Sequence, residues 1–157
     1  MEAGSLILNA VEQELVVALV AEVRFVVVGG AAVQFHGHLR PRKDLDILAE
    51  PSPNNAQKLV AALESLGMSV PPETEACLAK PGKGKQLPLK GVHAGIEFLT
   101  LIGGVGFDEA LAGADRSNEL GRSIPVLSKA HLIATKKLRG EPGDLDDIRI
   151  LENRVTE

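Results

Sequence analysis

The stretch VVVGGAAVQFHGHLRPRKDLDIL, Val26 to Leu48, decides how the rest of the chain is read. It opens on β-branched residues, passes through Gly29 and Gly30, and closes on Asp44 and Asp46 at the entry to a second apolar run. Arg24 to Val28 predicts a buried strand, which the glycine pair ends. Ala31 to His36 suits a short helix, Gly37 to Lys43 a loop punctuated by Pro41, and Asp44 to Ala49 a second strand. Residues two apart on a strand share a face, so the Asp44 and Asp46 carboxylates reach one point in space. Like charges that close repel each other. A hard divalent cation such as Mg²⁺ removes that repulsion by taking oxygen ligands. At the other end of the stretch, Gly29 and Gly30 let the backbone approach a ligand, and the N–H groups at a helix start favour phosphate.

Working outward, Ser5 to Val23 reads as a helix with Leu8, Val11, Leu15 and Ala18 on one face. Ser52 to Leu66 reads as another, with Ser52 as its cap and Pro53 at its first position. Met68 to Lys90 is rich in Pro, Gly and Lys and predicts an irregular hairpin with one or two short strands. A strand is expected from about Gly95 to Ile102, a short helix over Asp108 to Ala114, and a short strand over Ile124 to Leu127. Two helices close the chain, Ser128 to Leu138 and Asp144 to Asn153; Leu145, Ile148 and Leu151 mark one face of the second. Alternating elements of this kind predict a mixed α/β (α+β) sheet with helices packed on it, in one domain spanning residues 1–157.

The composition sets limits on function. The chain has 157 residues, 45% hydrophobic and 24% charged, with four Phe and neither Trp nor Tyr. The scarcity of aromatics argues against a stacking platform for single-stranded nucleic acid. A net charge of −4 provides no global basic field for a long polyanion. One cysteine, Cys77, excludes an intramolecular disulfide and a cysteine-rich zinc site, in keeping with a cytoplasmic protein. No apolar run has the length to span a bilayer, and the first twenty residues lack the basic leader of a signal peptide. His36 and His38 stand two apart, but no third ligand for zinc accompanies them.

Gly29-Gly30, His36-Gly37, Arg40 and Asp44-Leu45-Asp46-Ile47 together resemble the signature of the DNA polymerase β-type nucleotidyltransferases. The form H-G-x-x-R-x-T-x-D-[LI]-D is similar to the stand-alone bacterial members, including AbiEii-type toxins of abortive-infection systems. The segment LSKAHLIATKKLRGEPGDLDDIRIL resembles the tail of the same group. The two matches cover roughly residues 24–50 and 124–151.

The resemblance implies a nucleotidyltransferase fold with one or two Mg²⁺ ions held by Asp44, Asp46 and a third carboxylate. Glu97 is the candidate for the third, although the family more often has aspartate there; an ordinary solvent-facing strand residue is the competing reading. It further implies that Gly29, Gly30, Arg40 and Lys136 meet the phosphates of a nucleoside triphosphate. The acceptor stays open among a small molecule, a tRNA end and a protein side chain. A homodimer or an antitoxin partner is compatible with so short a chain. The family's threonine is replaced by Arg42, in a basic loop RPRK that either guides an anion or is a solvated turn. The alternative function is a non-catalytic binding or regulatory partner on the same fold. Asp144, Asp146 and Asp147 read as acidic residues placed to favour a helix N-terminus.

Overall fold

Four apolar residues, Phe25–Val28, form strand β1, and all four are buried. In the computed structural model, which describes residues 4–153, this strand sits inside a six-stranded sheet of order β3-β4-β2-β1-β6-β5. The other strands are β2 (Leu45–Ala49), β3 (Lys85–Pro88), β4 (Ile96–Leu99), β5 (Asp115–Glu119) and β6 (Arg122–Val126). Seven helices accompany them among the described residues: α1 (Ala10–Val20), α2 (Gly29–Phe35), α3 (Pro53–Ser65), α4 (Pro72–Leu78), α5 (Phe107–Ala112), α6 (Lys129–Arg139) and α7 (Pro142–Asn153). The expected mixed α/β class is therefore observed.

The sheet is mixed in a way that gathers strand ends. β1 runs antiparallel to β2 with Val28 opposite Asp46, and parallel to β6 with Val27 opposite Val126. β2 runs parallel to β4, which places Asp46 beside Glu97. The carboxyl ends of β1 and β6 thus share one edge of the sheet with the amino ends of β2 and β4.

Local chemistry explains most boundaries. Ser52 and Ser128 cap α3 and α6 by accepting hydrogen bonds from Asn55 N and His131 N. Gly140 ends α6 in the left-handed conformation, φ 65°. The first helix begins at Ala10, later than Ser5, because Asn9 and Glu12 form a capping box in which each side chain accepts from the other's backbone N–H. Ahead of it, Leu6 is buried and its N–H donates to Ser117 Oγ at 3.1 Å, tying this segment to β5.

Two elements depart from expectation. The segment expected to be an irregular hairpin holds a helix, α4, started by Pro72 and carrying Glu73 and Glu75 in its first turn. Strand β5 (DRSNE) has no apolar alternation; β6 holds it through a tight turn at Leu120-Gly121, both at positive φ. The core is built from α1, α3 and the central strands, with Leu15, Leu19, Phe25, Ile47, Leu59 and Phe98 essentially inaccessible. No helix among the described residues is long and apolar enough to cross a membrane.

Candidate metal centre and its two cavities

Strand register brings the acidic residues together. Asp46 and Glu97 are lateral neighbours on parallel strands, and Asp44 lies one residue ahead of β2. Each offers an oxygen, and the three oxygens lie within 4.8 Å of one another. It is the one such convergence of three His, Cys, Asp or Glu side chains among the described residues. Ile96 and Phe98 on either side of Glu97 are buried in the core, so alternation turns Glu97 to the other face of β4. The third carboxylate expected from the sequence therefore does stand beside the pair.

Three observations show that a cation suits this place. Asp46 Oδ1 is buried and accepts no hydrogen bond. Burial, reinforced by Glu97 and Asp44 and opposed by Lys85, pushes the Asp46 carboxyl up from its ordinary 3.8 to about 6. A positive group is already drawn in: the Lys85 ammonium stands 3.1 Å from Asp44 Oδ2 and pairs with Glu97. An Asp-Asp-Glu cluster of this kind can hold a metal ion, and all-oxygen donors match the hard divalent cations.

The glycine pair closes one side of the cluster. Gly29 adopts φ 63°, a conformation that side chains resist, and a Cβ there would stand 2.6 Å from Asp46 Oδ2. A Cβ on Gly30 would stand 2.9 Å from the Cβ of Arg42. Both positions thus need glycine so that the start of α2 can lie against the acidic residues and the RPRK loop.

Two cavities meet at Asp46. One, of about 200 Å³, is polar and is lined by Gly29, Gly30, Arg40, Asp44 and Lys136. The other, of about 790 Å³, is walled by apolar side chains that include Leu99, Ile102, Leu127 and Leu132. Gly29, Asp46, Lys136 and Arg139 border both.

The basic residues divide by what holds them. Lys136 is buried, its ammonium 2.8 Å from Asp147 Oδ2 and 3.4 Å from Asp144 Oδ1. Arg40 forks onto both oxygens of Asp147 at 2.8 and 2.9 Å. Arg139 donates from Nε to Asp144 Oδ2 at 2.6 Å. Burial opposes ionisation of Asp147, but hydrogen bonds from Arg40 and Lys136 outweigh it and hold the carboxyl at about 2. Asp144 and Asp147 are therefore buried anchors for three cations beside the site, and only Asp146 remains exposed as a helix-end acid would be. The sequence reading missed this role. The signal was present as Asp144 and Asp147 three apart, one helical face directed back at Lys136.

Arg42 departs from the solvated-turn reading of the RPRK loop. Its guanidinium is not solvated: it forks onto Glu12 at 2.7 and 3.0 Å and donates to Ile7 O at 2.9 Å, while the residue borders the polar cavity. Lys85 was also missed, because its segment carries no periodic pattern and its pairing with Asp44, forty-one residues back, exists only in the fold. His36 Nε2 donates to Leu127 O at 2.8 Å, and His38 Nδ1 lies 3.1 Å from Asp147 Oδ1, so the two histidines face separate partners. No protein-family model matches this chain, and no curated protein shows significant similarity to it.

Proposed function

We propose that this chain is a Mg²⁺-dependent nucleotidyltransferase of the DNA polymerase β type, moving a nucleoside monophosphate from a triphosphate to an acceptor. The observation that carries the reading is the convergence of Asp44, Asp46 and Glu97 within 4.8 Å beside the Gly29 turn. Further support comes from Lys136, which reaches the same two cavities on a helix of its own. The mixed sheet is compatible with the nucleotidyltransferase fold that the sequence motif implies.

Asp44, Asp46 and Glu97 would hold one or two Mg²⁺ ions, which when bound supply charge neutralisation at the attacking and leaving oxygens. The acceptor oxygen forms a bond to the α-phosphorus, the bond to pyrophosphate breaks, and Glu97 takes the acceptor's proton. Gly29 and Gly30 give the phosphates room beside the backbone. Lys136 and Arg40, clamped by Asp147, present fixed positive charge to the departing pyrophosphate without reorganising. The acceptor is a small molecule, a tRNA end or a protein. A role in a toxin–antitoxin or abortive-infection pair, in the cytoplasm, with a homodimer or an antitoxin as partner, follows from the motif resemblance.

The test uses thermal stability with Mg²⁺ and each of ATP, CTP, GTP and UTP. Saturating ligand, about 100 times its Kd, adds roughly 2.7 kcal/mol, a rise of several degrees in a chain of this size. The double variant Asp44→Asn/Asp46→Asn should lose that rise and lose pyrophosphate release. Retention of both activities by the double variant overturns the metal assignment. A folded wild-type chain that responds to no nucleotide favours the alternative, a non-catalytic partner on the same fold.

A further inference from the structure

Lys85 opens β3, the outer strand of the sheet on the β4 side. β3 pairs with β4 alone, and its register shifts between Lys85 and Leu87. Two glycines, Gly82 and Gly84, stand just ahead of it, the second at φ 76°. From this loosely held edge the side chain crosses β4 and places its ammonium among the three carboxylates. It lies 3.1 Å from Asp44 Oδ2, is paired with Glu97, and feels the charge of Asp46. The side chain remains 42% exposed. Its stem can therefore swing outward without opening the core, and the 790 Å³ cavity that it lines lies alongside.

The charges do not balance with lysine alone. Three carboxylates face one ammonium, whereas a divalent ion contributes twice the charge and accepts several oxygens at once. Lys85 already occupies Asp44 Oδ2 and Glu97 Oε2, on two of the three carboxylates that a divalent ion would draw on. We infer that Lys85 is the resident counter-cation of the acidic cluster: it neutralises the cluster until a divalent ion enters, must be displaced for entry, and so sets the affinity of the site for metal. This rests on the metal-binding reading above.

The test titrates MgCl₂, and separately MnCl₂, into the full chain by calorimetry at fixed ionic strength with no nucleotide. Lys85→Met and Lys85→Gln should bind the ion about tenfold more tightly than wild type, since a competitor worth about 1.4 kcal/mol has been removed. Both should also melt lower than wild type in chelator, where the carboxylates repel unopposed. Lys83→Met, which alters the same cavity wall without touching the carboxylates, should bind the ion within about twofold of wild type. In the unmutated chain, acylation of Lys85 by an amine-reactive ester should rise when Mg²⁺ is added. Unchanged or weaker metal affinity in both Lys85 variants, or Lys85 reactivity indifferent to Mg²⁺ that does bind, overturns the counter-cation role and leaves the metal site standing. Absence of binding heat in wild type and variants alike overturns the metal reading and this inference with it.

Discussion

Arg40 and Arg42 stand two apart in one short loop and serve different parts of the molecule. Arg40 is clamped to Asp147 at the rim of the polar cavity. Arg42 borders the same cavity, but its guanidinium joins Glu12, which is itself buried and also caps α1 through Asn9. Removing one partner of a buried, hydrogen-bonded ion pair leaves the other charge uncompensated, at about 3 kcal/mol. Arg42→Met should therefore lower the unfolding free energy by that amount, read from urea unfolding, while Mg²⁺ affinity of the acidic cluster stays within about twofold. A variant that keeps full stability and loses metal binding would return Arg42 to the site. At this scale Asp44 and Asp46 were legible from strand alternation, whereas Glu97 was reached only through the motif resemblance, since its place beside Asp46 depends on the pairing of β2 with β4. The partners of Arg42 and Lys85 were not legible. Glu12 lies thirty residues from Arg42 and Asp44 forty-one from Lys85, and only the fold brings these pairs together.

The two closing helices act through one clasp. α7 carries Asp144 and Asp147 back onto Lys136 and Arg139 of α6 and onto Arg40 of the loop. Asp147 ionises at about 2 in the fold against an ordinary 3.8. The unfolded chain thus takes up this proton first as pH falls. The stability Asp147 contributes is complete above about 4 and is lost as pH drops from about 4 to about 2. Asp147→Asn should be less stable than wild type by about 2 kcal/mol at pH 7, and the difference should close across that window. Unfolding free energies measured from pH 7 to pH 2 check both parts; a difference that persists unchanged at pH 2 would refute the linkage. Among elements, the strongly patterned strands and the capped helices α3 and α6 were readable. Helix α4 was not, since it is seven residues long, only Leu78 is buried, and Pro and Gly surround it. Strand β5 was hidden for the opposite reason: its partner supplies all the order, and its own residues are polar.

Across the whole molecule, rigidity and access are separated. The central strands β2, β1 and β4 bear the buried core, and β3 and β5 close the two edges with one neighbour each. Amide exchange should be slowest in Val26–Val28 and Ile47–Leu48 and faster by orders of magnitude in β3, because edge amides open without unfolding the core. Equal protection in β3 and β1 would contradict the picture of a loose edge carrying Lys85. The fold class was legible from the order of elements. The strand order was not, because it depends on pairings such as β1 with β6 that join residues about a hundred positions apart.

The meeting of the two cavities at Asp46 has a consequence for any molecule that fills both. One chamber is small and lined by cations and carboxylates, the other larger and walled with leucine and isoleucine. Gly29, Asp46, Lys136 and Arg139 form the sill between them. A molecule that filled both would meet a charged chamber on one side of that sill and, on the other, leucine and isoleucine with Lys83 and Lys85 among them.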